Sequence, residues 1–404
     1  MNESAVVRLL FEGLPPIGAQ APTAMPFSPA ELAASPLALP EETPSPENAP
    51  GADETPGAGR ALDADRASDA APFPTFAETG ADAGHAASCG WTAREKNGVR
   101  WLERPVAGLP GPVYLTGAAT SSLDAARLLV EADLFPEWAS VLCLSQSAGR
   151  GQMRRAWSSP AGNLYTALRL PMKPPFDSEA AAPACGALMA EALSREGCPV
   201  MLKWPNDLLQ AAPTFRPGIM PGREDCRKVG GMLMEERRGA LIAGTGFNIT
   251  SCPPSSTLRD NYAFSAGVLC RANGGELASS LPKIRNGEEI GKKNKDIVTI
   301  FTLWTHLASS IFSCYSQEQT LEPWWPALAQ RHLAFRGCRV TLADACPERE
   351  TMVRIPCEGV VDGVTASGAL RLSTAYGTAT FLGGSLLPRG DGKKSLSEDA
   401  PSSE

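Results

Sequence analysis

The sequence predicts an α+β protein: a mixed β-sheet backed by helices, followed by a small C-terminal β-barrel. Two observations carry that expectation. Between Val113 and Leu333, apolar stretches of strand length alternate with longer stretches of helical periodicity. From Cys338 the pattern changes to short alternating strands with turns at Asp362-Gly363, Ser367-Gly368 and Gly383-Gly384. A third observation bounds the rest. Between Glu12 and Gly84 the chain reads as Pro, Ala, Glu, Ser and Thr with few large apolar side chains, too little to offset the entropy of ordering it. The expected organisation is a disordered acidic tail over 1–90, a catalytic-type domain over 91–336, a barrel domain over 337–388 and a polar tail over 389–404.

The elements follow in order. Trp91–Pro110 reads as a lead-in, and Val113-Tyr114-Leu115 as a strand. Thr120-Ser121-Ser122-Leu123-Asp124 opens a helix running to about Ala132, with hydroxyls placed to cap its first N–H groups. Ser140–Leu144 is a second strand, leading into Gly149-Arg150-Gly151, and Leu164–Leu170 a third. Ala180–Arg195 reads as a helix with Leu188, Met189 and Leu193 on its apolar side. Met201–Trp204 is a short strand. Residues 229–236 and 240–249 form a hairpin about Arg237-Arg238-Gly239. Pro- and Gly-rich stretches at 211–227 and 273–296 read as polar insertions. A core-facing helix over 297–317 and a short helix within 322–333 complete the domain.

Charge is unevenly placed. The chain carries a formal −7, yet residues 1–90 hold thirteen acidic residues, three arginines and no lysine, leaving that segment at −10 and the remainder at +3. The remainder has no dense basic run of the kind that marks a nucleic-acid surface, and an acidic N-terminal segment is repelled by phosphate. The expectation is therefore no nucleic-acid partner. The 11 cysteines show no paired spacing, and His85, His306 and His332 form no ligand pattern, so neither a disulfide framework nor a zinc site is expected. Reduced thiols and the lack of a signal-peptide pattern point to the cytoplasm, and Ile297–Cys314, interrupted by His306 and hydroxyl residues, to no membrane association.

Lys203 carries the functional argument. It stands in Val200-Met201-Leu202-Lys203-Trp204-Pro205-Asn206-Asp207, where strand alternation puts Val200, Leu202 and Trp204 on one face and Lys203 on the other. Lysine is rarely buried without a partner, so a mid-strand lysine suggests a face open to an anion. The alternative is an edge-strand lysine whose flexible stem reaches solvent. The Gly149-Arg150-Gly151-Gln152-Met153-Arg154-Arg155 loop adds glycines that let the backbone approach a ligand and a guanidinium fork suited to carboxylate or phosphate.

Taken together, these stretches resemble the signatures of the biotin protein ligase family. The residues that carry the resemblance are Lys203-Trp204-Pro205-Asn206-Asp207; the loop Gly149–Arg155 followed by Trp157-Ser158-Ser159-Pro160-Ala161-Gly162-Asn163-Leu164-Tyr165; Lys228-Val229-Gly230-Gly231-Met232-Leu233-Met234-Glu235; and Gly244-Thr245-Gly246-Phe247-Asn248. They come in the family's order and cover roughly Val113 to Pro388. The position where many members carry a DNA-binding domain holds the acidic segment instead.

The resemblance implies a class II synthetase-like catalytic domain that activates biotin with ATP as biotinyl-5′-AMP and passes it to a lysine of a biotin carboxyl carrier protein. It implies ATP, biotin and Mg²⁺ as substrates and required ion. It implies catalytic roles for Lys203 and Arg150, and biotin contacts from Ser121, Ser122, Gln146, Arg150, Gly151, Gln152, Lys203, Gly230 and Gly231. Nucleotide contacts would come from Arg150, Arg155, Trp157, Lys203, Asn206 and Asn248, with no protein metal ligands assigned. Two departures stand out. Gln152 and Arg154 replace an arginine and a glycine of the family loop, and Leu123 stands where the usual Ser-Thr-Asn has an amide. The alternatives are a lipoate or octanoate ligase or transferase of the same fold, and a non-catalytic biotin-binding sensor or interaction protein.

Overall fold

The computed structural model describes residues 6–10, 92–106, 108–211, 223–254, 264–275, 277, 292–317, 324–348 and 356–388. The expected tails at 1–5, 11–90 and 389–404, and the cores of the two expected insertions, 212–222 and 278–291, lie outside them.

The strands of the large sheet are β1 (Val6–Leu10), β2 (Thr92–Lys96), β3 (Val99–Pro105), β4 (Val113–Ala119), β5 (Ser140–Gln146), β6 (Leu164–Leu170), β7 (Met201–Lys203), β8 (Asp207–Ala211), β9 (Cys226–Arg237), β10 (Ala240–Phe247) and β11 (Ser265–Ala266). Their order is β2-β3-β1-β4-β5-β6-β10-β9-β8-β7, with β11 on β9. The sheet is mixed: β4 lies parallel to β1 and β5, whereas β6, β10, β9, β8 and β7 pair antiparallel in succession. Helices α1 (Ser122–Glu131), α2 (Ala181–Arg195), α3 (Lys292–Gln317) and α4 (Trp325–His332) cover it. Among the described residues, no helix is long and apolar enough to cross a membrane.

The helices form where periodicity placed them. Leu188, Met189 and Leu193 of α2 are fully buried, each contributing roughly 1.5–3 kcal/mol of apolar burial. Trp304 of α3 is buried and donates its indole N–H to Ser140 Oγ at 2.9 Å, tying α3 to β5. The β9–β10 hairpin turns at Arg238 (φ 50°) and Gly239 (φ 71°), both left-handed as a two-residue turn of matching twist requires.

Four strands, β12 (Arg339–Pro347), β13 (Cys357–Val364), β14 (Leu370–Thr374) and β15 (Gly377–Pro388), close into the C-terminal barrel. The barrel is fastened to the lysine strand: Trp204 is buried and donates its indole N–H to the Gly368 carbonyl at 2.9 Å.

Four elements depart from expectation. Val6–Leu10, placed in the acidic tail, is a strand held on both edges, antiparallel to β3 and parallel to β4. Val7 and Leu10 are buried, and this local apolar content outweighs the composition of the segment around it. The lead-in at 91–110 is the β2–β3 hairpin, closed by Asn97 and Gly98 at positive φ. The loop expected from residue 211 starts later, because Asp207–Ala211 turns back as β8 against β7. Helix α3 begins at Lys292, five residues before the expected start.

Candidate active site

The open face of the sheet forms a cleft of about 650 Å³ whose lining comes from distant segments: the start of α1, the 149–158 loop, the β7–β8 turn, β9, β10, and Gly384 and Ser385 of the barrel. Each segment reaches it for a local reason. Strands β4 and β5 run parallel, so the chain leaving β4 opens α1 beside the end of β5, where the arginine loop begins. Strands β7 and β8 form a hairpin around Trp204-Pro205-Asn206, which projects Lys203 and Asp207 to the same face.

The cleft gathers Ser121, Ser122, Gln146, Arg150, Gly151, Gln152, Arg155, Trp157, Lys203, Asn206, Gly231 and Asn248 of the residues expected from sequence. Gly230 is the exception. A Cβ there would meet Phe247 Cδ1 at 2.4 Å, so this glycine makes room for a core ring rather than for a ligand. The Arg154 side chain lies outside the described residues.

Within the cleft many of the polar groups are already engaged. Gln146 Oε1 accepts the Ser122 N–H at 2.7 Å, and its amide donates to Ser159 Oγ at 2.8 Å. Ser122 Oγ donates to the Thr166 carbonyl at 3.0 Å. The amides of Asn206 and Asn248 donate to the carbonyls of Met232 (2.8 Å) and Gly267 (3.0 Å). These residues brace the cleft floor. Two donors are left over: Arg150 Nε and Trp157 Nε1 are buried without a protein acceptor. Unpaired buried donors cost stability, and they mark where ligand acceptors would be welcome.

The charges are unbalanced. Among the described residues that line the cleft, Arg150, Arg155, Lys203 and Lys228 stand against one carboxylate, Asp207. Lys203 Nζ lies 3.1 Å from Asp207 Oδ2, and the other carboxylate oxygen takes Lys228. Burial alone would raise the Asp207 carboxyl, but the two ammonium groups outweigh it and hold it at about 2. Asp207 is thus ionised across the physiological range and shared by two cations, leaving one positive charge in excess. Lys203 is the more enclosed lysine, 12% exposed, with Phe264 5.7 Å from its Nζ. Lys228 is 30% exposed and lies 5.2 Å over the Trp157 ring. Trp157 itself lies flat on β10, where a Cβ at Gly246 would meet its Nε1 at 2.8 Å.

Sequence reasoning gave Lys228 no role, and took Asp207 only as a brace. The signal for both was present: Lys228 opens the K-x-x-G stretch, and Asp207 ends the K-W-P-N-D stretch four residues after Lys203.

Comparison with known proteins follows this geometry. The family described as Biotin/lipoate A/B protein ligase family matches residues 134–249, which hold the arginine loop, both cleft lysines and the β9–β10 hairpin. Among solved structures, the chain is similar to the biotin protein ligase of Aquifex aeolicus in complex with biotin and ATP (20% identity, 69% of this chain and 98% of that chain, TM-score 0.44). It is also similar to the biotin protein ligase of Leishmania major in complex with biotinyl-5-AMP (19% identity, 67% and 98%, TM-score 0.38). A third is the biotin acetyl coenzyme A carboxylase synthetase of Helicobacter pylori (16% identity, 66% and 98%, TM-score 0.34).

Proposed function

We propose that this chain, a member of the biotin/lipoate protein ligase family over residues 134–249, is a biotin–protein ligase that makes biotinyl-5′-AMP from biotin and ATP and transfers biotin to a lysine of a biotin carboxyl carrier protein. The observation that carries the reading is the cleft's charge: Lys203 and Lys228 share the one carboxylate of Asp207, leaving a positive charge over, and Arg155 and two unpaired buried donors, Arg150 Nε and Trp157 Nε1, line the same space.

A carboxylate is a poor electrophile, and bringing it to a phosphate sets two anions together. In the first step a carboxylate oxygen of biotin attacks the α-phosphorus, the bond to the bridging oxygen breaks, and pyrophosphate leaves with that electron pair. Lys203 and Lys228 stand at one wall, where they reduce the repulsion and meet the charge that grows on the phosphoryl oxygens. Arg150 and Arg155 bring guanidinium donors from the loop side. Trp157, packed between β10 and Lys228, offers its unpartnered indole N–H as a donor to the nucleotide. In the second step the carrier's lysine amine attacks the acyl carbon and AMP leaves.

A divalent ion would arrive as the counter-ion of ATP. Such an ion binds chiefly through the substrate phosphates and water, with one or two carboxylates at most from the protein.

One observation keeps an alternative acid in view. Leu123 lines the cleft, and its apolar side chain packs where a Cβ at Gly244 would meet its Cγ at 2.7 Å. An apolar wall there suits the head of a lipoyl or octanoyl acid better than an amide would. The test is direct: purified protein, ATP and an apo carrier domain are incubated with each acid in competition, and the carrier is weighed by mass spectrometry. Biotinylated carrier is the expected product, and lipoylated or octanoylated carrier as the main product would replace this reading with the alternative.

A further inference from the structure

Arg150 is the loop residue with the strongest claim on an anionic ligand, and its placement depends on a residue outside the cleft lining. Its Nη2 lies 2.8 Å from Asp124 Oδ1 and 3.2 Å from Ser121 Oγ, with Glu235 Oε1 at 3.7 Å. At 3.7 Å Glu235 lies beyond hydrogen-bond distance, so Asp124 is the carboxylate that Arg150 bonds.

Asp124 is unusually well fixed. Ser121 is the N-cap of α1 and accepts the Asp124 N–H at 3.1 Å, while its own hydroxyl donates to Asp124 Oδ2 at 2.8 Å. The Ser121 hydroxyl thus both caps the helix and holds the carboxylate three positions on. Arg127, one helical turn on, donates to Asp124 Oδ1 at 3.1 Å. The carboxylate is therefore held by its own helix and 13% exposed, and it offers the loop a fixed anchor.

The loop is tied down at its root, where the Ser147 and Ala148 N–H groups donate to the Ala119 and Thr120 carbonyls (2.9 and 2.8 Å). Beyond Gly149 its backbone closes on itself, through Gly151 N–H to Arg155 O (2.8 Å) and Trp157 N–H to Gly149 O (2.9 Å), and there Asp124 gives the Arg150 side chain a hold outside the loop. The pairing with Asp124 engages Nη2 and leaves Nε buried and without an acceptor.

We propose that Asp124 is the positioning residue for Arg150: the helix cap fixes the carboxylate, the carboxylate fixes the guanidinium through Nη2, and the remaining donors are held toward the anionic ligand. The inference rests on the reading that the cleft binds ATP. It separates the serine pair, expected to touch the acid directly, from the residue three positions on, which acts through the arginine.

The test is a double-mutant cycle on the full chain. Asp124→Asn keeps an acceptor for the Ser121 hydroxyl and removes the charge; Asp124→Glu keeps the charge; Arg150→Ala removes the partner. Acid-dependent ATP–pyrophosphate exchange and ATP affinity by calorimetry are measured for wild type, each single variant and Asp124→Asn/Arg150→Ala, after cooperative melting shows each is folded. Loss of a charged hydrogen bond predicts that Asp124→Asn lowers exchange by about 10-fold or more, that Asp124→Glu restores most of it, and that Asp124→Asn adds nothing once Arg150 is gone. An equal loss in both arginine backgrounds, or no loss at all, overturns the proposal. If wild type exchanges with none of the acids offered, the functional reading fails while the cycle is still decided by ATP affinity. A change on Asp124→Asn that vanishes in Arg150→Ala then upholds the positioning role, and equal changes in both backgrounds reject it.

Discussion

Two strands of this molecule carry a cation among apolar neighbours, and they differ in what surrounds the charge. In β1, Arg8 packs between the rings of Trp101 and Tyr114, its Cζ 5.1 and 5.3 Å from their centroids, and pairs with Glu103 at 3.2 Å. In β7, Lys203 lies near Phe264 and pairs with Asp207 at 3.1 Å. Each cation thus has a ring and a carboxylate, and each carboxylate serves a second cation. The second cation on Glu103 is Arg94, 55% exposed and facing open solvent, where its charge is cheaply hydrated. The second cation on Asp207 is Lys228, which faces the walled cleft. A mid-strand cation therefore does not by itself mark a site. An uncompensated charge directed into a concave space does.

The comparison makes β1 a structural element, and this can be broken most severely by removing it. Strand β1 stands between β3 and β4 and links the β2–β3 hairpin to the rest of the sheet. A protein lacking residues 1–10 loses the burial of Val7 and Leu10, and its unfolding free energy should fall by roughly 3–6 kcal/mol in a denaturant titration. An unchanged midpoint and slope would show that the strand contributes nothing. The expectation of a disordered tail over the whole of 1–90 is corrected at this strand.

The next effect sharpens the other half. Lys228→Ala should reduce acid-dependent pyrophosphate exchange by roughly 10²–10³-fold, because a preorganised charge facing developing phosphate charge is worth about 3–4 kcal/mol. Lys203→Ala should also impair exchange, with Lys228 left to pair with Asp207 alone. Near-normal exchange by folded Lys228→Ala would move the reacting charge entirely to Lys203 and the loop.

A smaller effect concerns the shared carboxylate. Asp207 titrates at about 2 in the fold, below its ordinary 3.8. Its folded-state pKa is depressed, so its stabilisation is present above the ordinary value and is lost as pH falls through the folded one. The stability difference between wild type and Asp207→Asn should hold at about 2 kcal/mol above pH ~5 and shrink toward zero by pH ~2. A difference that did not change with pH would mean that the two lysines do not hold the carboxylate charged.

Much of this was legible in the sequence, for reasons that differ by element. Helix α2 and strands β5, β6, β9 and β10 are long and strongly patterned, and the cleft motifs fell together because each sits at the end of such an element. Strand β1 was missed because five residues are too few to outweigh ninety of contrary composition, and its pairing partners lie some hundred residues away. The β2–β3 hairpin was readable from Asn97-Gly98, a strong two-residue turn signal, yet its exposed β2 lacks the apolar alternation that draws attention to a strand. In the cleft, sequence placed Arg150, Arg155 and Lys203 but neither Lys228 nor the carboxylate partners. That Asp207 bridges two lysines and that Asp124 holds Arg150 are facts of register and helix phase, which appear only when β7, β8 and β9 are aligned and α1 is set beside the loop.

The measurement that tests the central claim most directly is ATP–pyrophosphate exchange by the full chain with biotin, lipoate and octanoate offered separately. The account predicts exchange that depends on added acid and is faster with biotin by about 100-fold or more, the discrimination a site built with matched polar contacts can reach. Exchange that is absent with all three acids, or as fast with lipoate or octanoate as with biotin, would contradict it.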